Sequence, residues 1–265
     1  MSGSAIPAAI AGGSGDVSGF ALNVATVADA VDLAIASAAR GKGFTFHTLN
    51  LDHVVKLRRS AAFRAAYRRA TFICADGWPI VWFANRAAGR RIYQRAPGAD
   101  LVEPLLKAAA DRSLPVYLIG PGPTAQAAAI ATLTQSAPDL LIAGAETPEV
   151  GLGDLKFERL TMAARVRDSG ASLCLVALGA PKQELLADAL AAHCPTVGFL
   201  CVGAALDFIA GTARRAPGWM QANGLEWLWR LAIEPRRLAG RYLASAYALL
   251  LLALGVEVVP IEERQ

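Results

Sequence analysis

No D-x-D pair, no C-x-x-C pair and no G-x-G-x-x-G occurs in this chain of 265 residues. The first absence removes the usual carboxylate pair for a divalent ion. The second leaves Cys74, Cys174, Cys194 and Cys201 without a redox or zinc spacing. Three of them lie in apolar, strand-like runs and read as buried, reduced thiols of a cytoplasmic protein. The third, with no glycine in Thr48–His53 after the first predicted strand, argues against a nucleotide-binding oxidoreductase. Histidine is scarce as well. His47, His53 and His193 have no metal-ligand spacing, so neither a metal nor another cofactor is expected. Residues 1–19 lack a basic region ahead of an apolar core. This Ser/Gly/Ala-rich stretch reads as a disordered leader, not a secretory signal. The longest apolar run, Leu243–Val256, ends at Glu257. A single-pass membrane helix needs roughly 20 residues. The run suits a core helix or one lying in a membrane interface.

What the chain does have is apolar bulk: 54% of it is hydrophobic, enough for a large core. Short apolar runs alternate with helical patterns. Strands are predicted at 44–49, 71–75, 115–120, 140–144, 172–179 and 196–203. One amphipathic helix is predicted over Leu51–Arg69, with Leu51, Val54, Val55, Phe63 and Tyr67 on one face and Lys/Arg on the other. Further helices are predicted from about Trp78, Thr124, Asp154 and Pro181. Continuous apolar strands joined by helices imply an α/β fold: a Rossmann-like, doubly wound, mostly parallel sheet. The alternation stops near residue 213. The expected organisation is a leader over 1–19, an α/β domain over 20–212 and a helical, Arg/Trp-rich appendage over 213–265.

That appendage holds the charge. The formal net charge is +4, and Arg214–Arg241, with six arginines and two glutamates, accounts for all of it. The segment around it also carries Trp219, Trp227 and Trp229, three of the five tryptophans. Guanidinium forks grip phosphate oxygens while indoles bury apolar area. The combination suits a phosphate-bearing, partly apolar partner at an anionic membrane surface. A nucleic acid would call for a longer basic stripe and is not expected. Exposed apolar surface here would favour membrane docking or self-association.

Ligands of open α/β sheets bind beyond the carboxyl ends of the strands. Those ends carry Thr48-Leu49-Asn50, Asp76-Gly77, Gly120-Pro121-Gly122, Gly179 to Glu184, and Gly203. Asp76 follows a strand directly. It is a candidate general base or a cap for the helix starting near Trp78, and both roles can coexist. Gly120 opens a helix start that suits a phosphate, or is a simple turn. Lys182 and Gln183 would present a cation and an amide to the cleft, or belong to a plain βα turn. With no carboxylate pair for a metal, leaving-group charge would fall to arginines, including Arg95, and to backbone N–H groups.

Thr48-Leu49-Asn50, Ala75-Asp76-Gly77, Arg95 with Gly98-Ala99-Asp100-Leu101, Gly179 to Glu184, Gly203 to Asp207-Phe208, Ala210-Gly211, Arg215-Ala216-Pro217, and Gly224-Leu225-Glu226-Trp227 with Arg230 and Glu234-Pro235 form an ordered set. In that set the chain resembles the WecG/TagA/CpsF family of bacterial glycosyltransferases from about Phe44 to Tyr242. The resemblance implies an inverting, metal-independent transfer of a hexose or N-acetylhexosamine. The donor would be a UDP-sugar and the acceptor a sugar on a polyprenyl diphosphate, at the inner face of the cytoplasmic membrane. It implies Asp76 as base, Thr48 and Asn50 as donor-sugar contacts, and Gln183 as a sugar or acceptor contact. Gly120, Lys182 and Asp207 join the expected substrate contacts, with Arg95. Arg230, Arg237 and Arg241 would clamp the diphosphate, in an appendage that closes over the site. Many relatives place proline after the asparagine, where this chain has Leu51. UDP-N-acetylmannosamine, its uronic acid and UDP-glucose are all donors within the family. The competing class is a non-catalytic α/β protein that binds nucleotide or polyanion at the membrane.

Overall fold

The computed structural model describes residues 15–148 and 155–256. Six strands form one parallel sheet: β3 (Phe44–Leu49), β4 (Phe72–Ala75), β5 (Val116–Ile119), β6 (Ile142–Glu146), β7 (Leu173–Val176) and β8 (Gly198–Cys201), in the order β4-β3-β8-β7-β5-β6. Every pairing is parallel. Alternate residues feed opposite faces. Phe44, Phe46, Leu118, Leu175 and Leu200 enter one core with α1 (Val27–Ala38), α5 (Gly98–Ala110), α6 (Pro123–Ser136) and α9 (Ala205–Ile209). Ile119, Cys174, Val176, Phe199 and Cys201 enter the other, under α7 (Leu155–Asp168) and α8 (Lys182–Ala191). Burial on both faces is why these strands read as unbroken apolar runs. The doubly wound fold expected from the sequence is the fold observed.

Two local expectations are corrected. The helix predicted over Leu51–Arg69 is two helices, α2 (Leu51–Arg59) and α3 (Ala61–Arg69). Ser60 between them is extended, at φ −126°, and its side chain caps α3 by accepting from Phe63 N. The buried Arg64 then donates to Leu57 O at 2.6 Å and Arg58 O at 3.2 Å. It satisfies carbonyls that the end of α2 leaves open. The periodicity continued through the break, so only the serine marked it. Second, the leader expected over 1–19 overlaps a hairpin, β1 (Gly15–Val17) with β2 (Phe20–Leu22); residues 1–14 lie outside the described residues. Tyr93 holds this hairpin: its hydroxyl accepts from Gly15 N at 2.9 Å and donates to Leu22 O at 2.8 Å. The partner stands 78 residues away in sequence, beyond any local signal.

After α9 only helices follow among the described residues: α10 (Gly218–Ala222), α11 (Glu226–Ile233) and α12 (Pro235–Ala253). α12 packs along α2, burying Leu238, Ser245 and Ala248. Its opposite face exposes Leu243 and Leu254 (72% and 68%) with Tyr247 and Leu250. No helix among the described residues is long and apolar enough to cross a membrane.

Candidate active site

β3 and β4 lie side by side, with Leu49 opposite Ala75, so the residues leaving their ends meet. Asn50 caps α2, accepting from His53 N at 3.0 Å through Oδ1. Its Nδ2 donates to Asp76 Oδ2 at 3.1 Å. Asp76 N donates to Leu49 O at 2.7 Å, which extends the ladder one step past the strands. The next helix, α4 (Trp78–Ala87), is capped by Gly77 without a side-chain bond. The capping alternative for Asp76 is therefore not taken. Gly77 sits at φ 106°, a conformation that a side chain would strain. It lets the chain turn out of the strand directly behind the carboxylate.

Asp76 keeps part of its surface open while protein surrounds most of it. Burial pushes its carboxyl above the ordinary range. The Asn50 hydrogen bond pulls it back, Glu226 pushes it up, and Arg230 and Arg95 pull it down. A carboxylate raised by its surroundings is suited to accepting a proton.

The appendage supplies the other wall. Arg95 Nη1 donates to Glu226 Oε2 at 3.2 Å, and Arg95 Nη2 to Asp100 Oδ2 at 3.4 Å. Arg215 pairs with the other Asp100 oxygen. Arg230 Nη2 stands 3.4 Å from Glu226 Oε1, and its guanidinium lies over the Phe208 ring at 5.8 Å. Charges thus alternate along Arg215, Asp100, Arg95, Glu226 and Arg230, crossing between α5, the loop before it and the appendage. Gly224 reinforces the seam. At φ +71° it lies flat against the Trp78 indole, where any Cβ would collide.

Of the residues singled out in the sequence, Asn50, Asp76, Arg95 and Arg230 come together here. Thr48 is buried one residue short of the β3 end. Its carbonyl accepts from the Tyr67 hydroxyl at 2.6 Å and lies 2.6 Å from His53 Nδ1. Gln183 is buried with both amide ends engaged: Oε1 accepts from Gly203 N at 3.0 Å and Nε2 donates to Glu184 at 2.8 Å. It ties the β7 and β8 ends together instead of facing the cleft. Gly120 N donates to Glu146 O at 2.8 Å, and its carbonyl accepts from Gln126, which makes it a sheet-edge turn. Lys182 begins α8, partly buried. Asp207 accepts from Thr212 Oγ1 at 3.3 Å, and burial raises its carboxyl. Arg237 pairs with Glu234 in its own helix turn, exposed. Arg241 reaches Asp52 Oδ2 at 3.0 Å, beside the α2 start that Asn50 caps.

Sequence reasoning missed the partners. Asp100, Glu226 and Glu184 stood inside recognisable pieces of sequence, yet nothing local assigned them a role. Glu184 is fully buried, and desolvation pushes its carboxyl up to about 7. Burial drives His47 down to about 4 and His53 to about 3. Beneath Asn50, then, lies a buried floor in which His53, Tyr67 and the Thr48 carbonyl are hydrogen-bonded while the His47 ring packs on Tyr67 with neither nitrogen partnered among the described residues; around Asp76 lies a charged rim. Among the described residues no group of three His, Cys, Asp or Glu side chains gathers to hold a metal ion.

The family model described as the glycosyl transferase WecG/TagA/CpsF family matches residues 16–259. The match covers nearly the whole chain, with the β3 and β4 ends, the charged rim and most of the appendage inside it. With a parallel sheet presenting Asp76 at a strand end beneath an arginine-bearing appendage, the chain belongs to this family and is a glycosyltransferase of polysaccharide biosynthesis.

Proposed function

We propose that the protein moves a hexose or N-acetylhexosamine from a UDP-sugar to a hydroxyl of a saccharide on a polyprenyl diphosphate, with inversion and without a metal ion. The acceptor oxygen attacks the anomeric carbon while Asp76 takes its proton. The bond from that carbon to the β-phosphate oxygen breaks, and UDP leaves with the electron pair. The observation that carries this reading is the placement of Asp76. It is oriented by Asn50, raised by burial, and flanked by two arginines that come from opposite sides of the seam. Arg95 and Arg230 supply the positive charge for the leaving diphosphate. Their presence, together with the lack of a D-x-D pair, supports metal independence.

The acceptor side rests on α12. Leu243, Tyr247, Leu250 and Leu254 recur on one face, exposed, and Arg236 and Arg237 lie exposed at the start of the same helix. Such a face suits the interfacial zone of an anionic leaflet and supports a peripheral location on the inner surface of the cytoplasmic membrane. The test is UDP release across a donor panel with a synthetic polyprenyl-diphosphate saccharide. Wild type is expected to release UDP only with acceptor, equally in EDTA. Asp76→Asn is expected to lose at least ~100-fold in kcat, the usual scale for a general base. Unchanged kcat in Asp76→Asn would overturn the assignment.

A further inference from the structure

Glu226 is an anion placed between two guanidinium groups. One carboxylate oxygen faces Arg95 at 3.2 Å and the other faces Arg230 at 3.4 Å. Carboxylate and phosphate offer arginine the same pair of acceptor oxygens. Resting on the UDP-sugar reading above, we propose that Glu226 is an internal counter-anion at the diphosphate seat, and that the donor binds by displacing it from Arg95 and Arg230.

Charge favours exchange over simple addition. Arg95, Arg215 and Arg230 are balanced by Asp76, Asp100 and Glu226, three against three. A diphosphate entering this balanced group brings at least two further negative charges beside Asp76. Turning Glu226 out to solvent offsets one of them. The geometry allows the turn. Glu226 is the first residue of α11, so its side chain can rotate without breaking a helical bond. The Arg230 side chain, 40% exposed, leaves the pair open on that side. The displaced carboxylate also ceases to push Asp76 upward.

A plain structural pin makes the opposite prediction, because its removal would let the two arginines wander and weaken anion binding. The discriminating measurement is calorimetric titration of the full chain with inorganic pyrophosphate at low salt, for wild type, Glu226→Gln and Glu226→Asp. The expected result is about threefold or greater tightening in Glu226→Gln, the scale of one partly exposed ion pair, with Glu226→Asp close to wild type. In turnover, Glu226→Gln also moves the acid limb of the kcat/KM profile, which reports the free enzyme, to lower pH, and leaves that of the kcat profile in place. Equal or weaker binding in Glu226→Gln overturns the proposal. So does equal tightening in both variants, since charge would then not be the cause. Failure of every protein to bind pyrophosphate overturns it too, because no such seat would exist. The UDP-sugar reading is judged separately, by the effect of Asp76→Asn on UDP release.

Discussion

Two polar networks meet at Asp76 and are built on opposite principles. The floor, made of Thr48, His53, Tyr67, Gln183 and Glu184 with the His47 ring packed on Tyr67, is buried and holds its groups near neutrality. The rim, made of Arg95, Asp100, Arg215, Glu226 and Arg230, is charged and partly open to solvent. A buried network has few alternative partners, so it fixes backbone geometry and resists exchange. A solvent-touching ionic chain contributes little to stability but can trade one anion for another. The site thus keeps its rigid and its exchangeable parts on different sides of the same carboxylate.

Acid is expected to break the floor first, with the largest effect. His47 and His53 sit at about 4 and about 3 in the folded protein against 6.5 unfolded. The unfolded chain therefore binds more protons below pH 6.5, and stability falls as pH drops from 6.5 toward 4. Glu184 works the other way. Raised to about 7 from 4.5, it contributes stability that is fully present below 4.5 and is lost as pH rises through 7. Between 4.5 and 6.5 the two histidines outweigh the one glutamate. Urea unfolding from pH 7.5 to 4.5 is expected to show a net loss of about 2 kcal/mol, and Glu184→Gln is expected to steepen it. A flat profile would mean that the floor is not held neutral.

Tyr67→Phe tests the same network at fixed pH. It removes a buried hydroxyl from the Thr48 carbonyl, which keeps His53 as a partner. A loss of about 1–2 kcal/mol in urea unfolding is expected. Arg241→Ala is the smallest perturbation of stability. Its ion pair with Asp52 is partly exposed, and Lys56 remains beside the same carboxylate. Unfolding should change by less than about 1 kcal/mol, while KM for the lipid-linked acceptor rises. A stability loss as large as that of Tyr67→Phe would erase the distinction between buried hydrogen bonds and partly exposed ion pairs.

Legibility in the sequence followed the same division. The strands and their ends were readable because burial on both faces forces unbroken apolar runs, and Asn50 and Asp76 stand where those runs stop. Ser60 was readable only in hindsight, since the helical period carries across it. The hairpin at 15–22 was hidden because its anchor, Tyr93, lies far along the chain. The appendage arginines were evident as a cluster, yet their engagement by Asp52, Asp100 and Glu226 was not. A list of charges does not say which of them are neighbours.

The order of apolar runs and turns, by itself, determined the parallel α/β sheet and where its strands end. These follow from local periodicity and from the need to bury both faces of each strand. Tertiary structure alone decided that Gln183 faces inward, that Gly120 closes a sheet edge, and that Glu226 stands between Arg95 and Arg230. Electrostatic partnership depends on distance and burial, and residues 131 apart in sequence come within 3.2 Å only once the chain has folded.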